Sequence, residues 1–336
     1  MCVSHPQPLS QESHFDTNIE GAISELWQQR NQGQFITKDG VKLAWCSVTR
    51  PEHDKAIVLV NGRVESFWKY QELIYDLVNQ GYDVYSHDHR GQGISQRLTQ
   101  NFDIGFVEKF DDYIDDLAAL IELFDLKGYQ HRYLLGHSMG GAIVTRYLQT
   151  HLASSFCAAA LTAPMMGIEM PKYLAPIALP LTRLMSWLVK TPHYAPGHQP
   201  YYPKPFAGNR LTQSKVRYHW FRQLYDTMPQ LRLGGPSTHW VWQSLKATKA
   251  IHAQTDKIAV PLLVLQASEE QIVANTAQDE FMHKLAATRK DCAFEVINGA
   301  RHELLFEQDQ YRQPTLNRIL AFFASARSSG KEELID

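Results

Sequence analysis

The pentapeptide "GHSMG" (136–140) constrains this chain more than any other stretch. The apolar run "RYLL" precedes it, and "AIVTRYL", with helical spacing, follows. A G-x-S-x-G run between a strand and a helix describes a sharp turn that lifts its serine out of a sheet. The flanking glycines let neighbouring backbone come close. Five residues alone carry little weight in a chain of 336 with 19 glycines; the strand before and the helix after supply it. Such a turn also makes a demand on the rest of the chain. It needs a mostly parallel sheet with helices packed on its faces.

That alternation runs along the sequence. "FITKDGVKLAW" reads as a hairpin turning at Asp39-Gly40. "AIVLV" (56–60), "YDVYSH", "CAAALTAP", "PLLVLQA" and "AFEVING" are short strand patterns. Between them lie helical patterns: "FWKYQELIYDLVNQG", ending at Gly81, and "DDYIDDLAALIELFDLKG", with acids at its start and Lys127-Gly128 at its end. A short helix is expected near "IEGAISELW" in an otherwise polar lead-in. Residues 165–248 break the rhythm. They are rich in proline and hold four of the seven tryptophans: Trp187, Trp220, Trp240 and Trp242. This segment reads as a helical lid over the strand ends, where open α/β sheets keep their ligand crevice. The expected organisation is a core in two parts, 1–164 and 249–336, around a lid at 165–248.

Bulk properties exclude several classes. A formal net charge of -2 gives no footing for nucleic acid. Cys2, Cys46, Cys157 and Cys292 show no paired short spacing, which suits a reducing compartment and no zinc site. "MCVSHPQPLSQESHFD" has no basic-then-apolar pattern, so no secretory signal is expected and the cytoplasm is the expected location. The most apolar stretch, "YLAPIALPLTRLMSWLV", contains Pro176, Pro180 and Arg183, against a membrane span. His87 and His89 in "HDHRG" would share one strand face, yet no further ligand cluster has metal spacing. No metal and no cofactor is expected.

If Ser138 is a nucleophile it needs a base, and the base needs a carboxylate. His302 in "GARHELLF" follows the last strand pattern, as the serine–acid–histidine order of this turn requires. The acid should lie at the end of "PLLVLQ". Asp256 precedes that strand and Asp279 sits in a helical pattern beyond it. Glu269 and Glu270 remain, and adjacent extended residues point to opposite sides, so one of them should reach His302. The oxyanion donors should be two backbone N–H groups. One is that of Met139, after the nucleophile; the other is that of Arg63, in the loop after "AIVLV".

"DHRGQGIS", "GHSMGGA" and "GARHELLFE" together resemble the monoacylglycerol-lipase and lysophospholipase branch of the α/β hydrolases. "NGRVESFWKYQEL" and "FDDYIDDL" narrow the resemblance to bacterial lysophospholipases of the L-two type, over roughly residues 35–325. The resemblance implies an α/β-hydrolase fold. It also implies a serine carboxylester hydrolase that releases fatty acid from lysophospholipids through an acyl-enzyme. Branch members carry Q-G-x-x-D at the acid strand; laid on "QASEE", that position is Glu270. Two departures stand out. The oxyanion loop begins Asn61-Gly62 where lipases of the branch have His-Gly. Ala274 stands where a second aspartate often follows the acid.

The lid carries two acids, Glu169 and Asp226, against ten bases, while the remainder holds 33 acids and 23 bases. A basic, aromatic lid suits an anionic amphiphile or an anionic membrane surface, with peripheral binding at the inner membrane. It does not suit a prolyl aminopeptidase, which must hold a substrate ammonium. The alternatives on the same scaffold are a monoacylglycerol lipase, a transacylase passing the acyl group to another lipid, and a lipid-binding module with a disabled site.

Overall fold

The computed structural model describes residues 8–171, 173–189 and 191–332. Cys2, Lys172 and Lys190 lie outside the described residues. The chain opens with α1 (Phe15–Glu20) and α2 (Ala22–Gln28), then the hairpin β1 (Asn31–Ile36) and β2 (Lys42–Val48). β3 (Lys55–Val60), α3 (Gln71–Asn79), β4 (Asp83–His87), α4 (Asp111–Phe124), β5 (His131–His137), α5 (Met139–Thr150) and β6 (Ala158–Thr162) follow. The second half holds α6 (Ala175–Leu188), α7 (Lys215–Thr227), α8 (Thr238–Ala253), β7 (Leu262–Ala267), α9 (Asn275–Thr288), β8 (Ala293–Ile297) and α10 (Asp309–Glu332).

The eight strands form one sheet in the order β1-β2-β4-β3-β5-β6-β7-β8. β1–β2 and β2–β4 are antiparallel; the other pairs are parallel. This is the α/β-hydrolase fold. The central strands read as unbroken apolar runs because both their faces are covered. On β3, Ala56, Val58 and Val60 meet helices α4, α5 and α8 on one face. Ile57 and Leu59 meet α3 and α10 on the other. β5 and β7 repeat the alternation, Leu134 and Val264 against the first face, Leu135 and Leu265 against the second. Each such valine, leucine or isoleucine contributes about 1.5–3 kcal/mol on burial, so the sheet is a firm base for whatever its strand ends carry.

Topology chooses where that is. From β3 the chain goes to β4 on one side and then to β5 on the other. Strand order therefore reverses between β3 and β5, and the loops after these two strands diverge around a crevice. Val60 is in register with Gly136 at the ends of the pair.

Two expectations of boundary change. α4 stops at Phe124, where Asp125 takes the left-handed conformation (φ 45°); Lys127-Gly128 falls in the turn beyond. The expected lid boundary at residue 248 cuts through α8. Trp240, Ala247 and Ile251 of this helix join the core beside α5, so α8 belongs with the sheet. Only the segment before it stands outside. That segment contains α6, α7 and a long irregular connection between them.

Candidate active site

β5 ends at His137 and α5 begins at Met139, leaving Ser138 alone on the turn. Its backbone is held at φ 53°, ψ -117°, a conformation L-residues avoid. Glycine at 140 is what makes the turn possible, because a Cβ there would lie 2.0 Å from the Val60 carbonyl oxygen. The turn is pinned by its neighbours. Ser138 N–H donates to Thr162 O at 3.0 Å and Met165 N–H donates to Ser138 O at 2.9 Å.

The loop after β8 brings His302 over this serine. Its Nε2 lies 3.0 Å from Ser138 Oγ and its Nδ1 lies 2.6 Å from Glu270 Oε2. Burial disfavours the imidazolium, but the Glu270 charge and hydrogen bond outweigh it, helped by Glu303 and Glu65. The His302 pKa is raised in consequence. Glu270 shows the reciprocal balance. Burial opposes its charge, His302 and backbone N–H groups favour it more, and its pKa is lowered. Glu270 Oε1 accepts from the N–H groups of Gln271, Ile272 and Val273 at 2.9, 2.7 and 3.3 Å. With Ala274 in place of a second aspartate, backbone supplies this support.

The other carboxylates weighed for that role point elsewhere. The Glu269 side chain is more than half exposed and lies 4.0 Å from Arg301. Asp279 accepts from Gln266 Nε2 at 3.1 Å. Asp256 sits in the short turn before β7. Met139 is the first residue of α5, so its N–H has no acceptor within the helix. Arg63 follows Gly62 in the crevice loop, whose shape is set by Glu65. That carboxylate accepts from Gly62 N–H at 2.6 Å. Val64 is in the left-handed region (φ 66°). The Arg63 guanidinium turns away from Ser138 and donates to Gly234 O at 2.7 Å. His87 and His89 are buried beneath this loop, with His89 Nε2 2.9 Å from Asn61 O; burial lowers the pKa of both. Among the described residues no group of three His, Cys, Asp or Glu side chains is placed to hold a metal.

A cavity of about 420 Å³ opens over Ser138. Met165, Ile168, Val241, Ile272 and Val273 line it from the side of β6, α8 and β7. The opposite wall is aromatic and basic, made by α7 and the connection before it. In the wall between lies a group that no single motif announced. Lys69 Nζ is 2.7 Å from both Glu65 Oε1 and Glu303 Oε2, and is buried. Burial would strip its proton, but the two carboxylates hold its pKa above the ordinary lysine value. A linked chain therefore runs from Gly62 N–H through Glu65 and Lys69 to Glu303, the residue next to His302. A lysine followed by helical spacing reads as a solvated surface group, so sequence alone gave no signal for it.

A family model described as "Serine aminopeptidase, S33" matches residues 51–309. The chain belongs to this family of α/β hydrolases, and it is a serine hydrolase. It is 39% identical over 325 residues to lysophospholipase L2 of Escherichia coli K12, covering 94% of this chain and 93% of that protein. It is 38% identical over 288 residues to the probable lysophospholipase L2 of Haemophilus influenzae, covering 85% and 89% respectively. Among solved structures it is similar to a soluble variant of monoglyceride lipase from Saccharomyces cerevisiae. The TM-score is 0.69 at 17% identity, over 88% of this chain and 94% of that one. At that identity the structural likeness speaks for the family fold alone.

Proposed function

We propose that this family member is a lysophospholipase, with Ser138, His302 and Glu270 as its catalytic residues. The observation that carries the reading is the 3.0 Å and 2.6 Å chain from Ser138 Oγ through His302 to Glu270, opening into a half-apolar, half-basic cavity. The relatives' names supply the substrate class.

Ser138 Oγ attacks the acyl carbonyl while His302 Nε2 takes its proton. Glu270 holds the Nδ1–H tautomer and stabilises the imidazolium. The N–H groups of Met139 and Arg63 receive the charge on the carbonyl oxygen. His302 returns the proton to the departing glycerophosphate hydroxyl, leaving the acyl group on Ser138. Water, deprotonated by His302, then attacks the acyl carbon; the bond to Ser138 Oγ breaks, His302 returns the proton to that oxygen, and the fatty acid leaves. Every step uses side chains and backbone of this chain and needs no cofactor.

The family description raises an aminopeptidase as a rival, and the cavity argues against it. Glu65 and Glu303 are its only acidic lining residues among those described, and both are paired to Lys69. No carboxylate is left there for a substrate ammonium.

No helix of the described chain is long and apolar enough to cross a membrane. We infer a peripheral contact instead, from the cytoplasmic side, made by α6. Ile177, Leu181, Leu184 and Leu188 recur at helical spacing on its outer face, and Trp187 beside them is 74% exposed. Apolar side chains on a basic lid suit an anionic lipid surface.

The test is direct. A fluorophosphonate probe should label Ser138. Fatty acid should be released from lysophosphatidylethanolamine faster than from monoacylglycerol of the same chain, and not at all from a proline arylamide. Labelling at another serine, or preference for the arylamide, would overturn the reading.

A further inference from the structure

The ten basic residues of 165–248 are not alike. Arg217 is buried against Glu72 and Asp309, and Arg232 is paired with Asp226. These two are spent within the protein. Lys204 and Arg222 are not. Both line the cavity over Ser138, and neither lies within ion-pair distance of a carboxylate among the described residues. The Arg222 guanidinium carbon packs among Tyr218, Phe221 and Tyr225, 4.9, 5.0 and 5.9 Å from the ring centres. Its buried Nε has no hydrogen-bond partner among the described residues. Lys204 Nζ sits 5.4 Å from the Tyr202 ring.

The surroundings concentrate positive charge. Arg63, at the base of the same cavity, is half-buried, also has no carboxylate partner among the described residues, and has its pKa lowered by desolvation to about 10. The Lys204 pKa is lowered by burial and then by Arg222, Arg63 and Arg210. The His198 pKa is lowered by burial and then by Arg63 and Lys204. Cations that oppose one another's charge in a half-enclosed space are a standing site for an anion. The nearby acids are occupied. Asp103 accepts from Tyr194 hydroxyl and Tyr201 N–H and does not line the cavity. Glu65 and Glu303 are held by Lys69 on another wall.

We propose that Arg222 and Lys204 form the subsite for the phosphodiester of the lysophospholipid headgroup and so determine the enzyme's preference for lysophospholipid over neutral acylglycerol. The proposal rests on the lysophospholipase reading above. Arg222 is suited to the task, since aromatic neighbours hold in place a guanidinium whose fork can grip two phosphate oxygens. The acyl chain lies on the opposite wall, against Ile168, Val241 and Ile272. The ester between the two ends is thereby set at Ser138.

The experiment has two arms. In the first, glycerophosphoethanolamine competes with p-nitrophenyl butyrate, a neutral ester. We expect competitive inhibition of the wild type, weakened roughly 10- to 100-fold in Arg222→Gln/Lys204→Gln, as for loss of charge-assisted contacts. Arg222→Lys keeps the charge but loses the two-toothed grip, so its inhibition should fall between the wild type and the double variant, and the exposed Lys204 is also changed alone in case the half-buried Arg222 position does not tolerate glutamine. Inorganic phosphate run in parallel should compete weakly; competition equal to the diester's would overturn headgroup recognition. In the second arm, the ratio of kcat/KM for lysophosphatidylethanolamine to that for monoacylglycerol should fall by a similar factor in the double variant. An unchanged ratio overturns the proposal. Should the wild type cleave only monoacylglycerol while diester inhibition still depends on Arg222, the lysophospholipase reading fails and the anion subsite stands.

Discussion

α6 and α7 belong to one insertion and are both rich in apolar residues, yet they are held in unlike ways. α7 buries Tyr218, Phe221 and Tyr225 in a small core of its own. It is tied down at both ends: Arg217 to Glu72 and Asp309, and Tyr225 hydroxyl to Val64 O at 2.9 Å. α6 rests on α8 and leaves Ile177 at 50%, Leu184 at 51% and Leu188 at 63% exposure. The difference teaches that a basic, apolar insertion is not one kind of surface. Charges on α7 hold the roof and face the cavity, whereas apolar groups on α6 face outward with nothing among the described residues covering them.

Changes beneath or within α7 should therefore act on chemistry or folding, and changes on α6 on lipid contact alone. The largest effect is expected from the residue α7 roofs. Ser138→Ala should lower kcat by up to about 10⁶-fold, with the urea midpoint unchanged because only a hydroxyl is lost. Retention of a tenth of the activity would end the assignment. Next comes Glu270→Gln, which offers an NH2 to the ring and favours the wrong tautomer; kcat should fall by about 10³ to 10⁴. The pH profile adds an independent sign. The neutral imidazole is the base, so activity rises as His302 deprotonates. Glu270 raises the pKa of His302, so its loss should move the acid limb of any residual activity to lower pH. Glu269→Gln should stay within about tenfold; if it is the crippled variant, the acid is misassigned by one residue.

Smaller and of another kind is Arg217→Ala. It removes the two-bond partner of Glu72, whose side chain is 2% exposed, leaving it Ser10 and the more distant Arg312, and should cost about 1–3 kcal/mol in equilibrium unfolding. A loss below about 0.5 kcal/mol would mean that α7 is anchored elsewhere. The smallest effect on catalysis belongs to α6. Leu184→Ser/Trp187→Ser should leave kcat/KM for a soluble short-chain ester within about twofold, since surface changes are nearly neutral. Sedimentation with anionic vesicles at low salt should nevertheless drop. The wild type should be released from those vesicles as salt shortens the Debye length. Equal binding of both proteins would remove α6 from the contact.

The sequence made some of this legible for definite reasons. β3, β5 and β7 are unbroken apolar runs, and Ser138 stands between one such run and a helix, so fold class and turn follow from local pattern. α8 escaped because Trp240, Ala247 and Ile251 are separated by Gln243, Lys246 and Lys249, and a tryptophan pair beside prolines reads as lid. The ion pairs escaped for another reason. Lys69 and Glu303 are 234 positions apart, and Arg217 meets Glu72 and Asp309 from opposite ends of the chain. A charged residue on a helix looks the same in sequence whether water or a buried carboxylate receives it. For the same reason a count of ten lid bases cannot say which of them are spent.

The ties between α7 and the crevice loop bear on any attempt to shorten this protein. Excising the insertion would take away Arg217, Tyr225 and Gly234 together. Buried Glu72, the Val64 carbonyl and the Arg63 guanidinium would be left without the partners they have at 2.8, 2.9 and 2.7 Å. Glu72 would keep Ser10 and Arg312; the other two groups lie in the loop beside Ser138. A minimal version that joins the end of β6 directly to α8 would thus not be an open-topped esterase. It would keep every residue of the proposed chemistry and lose the ground that one of them stands on, so a designer would have to rebuild residues 61–65 before the cut could be made.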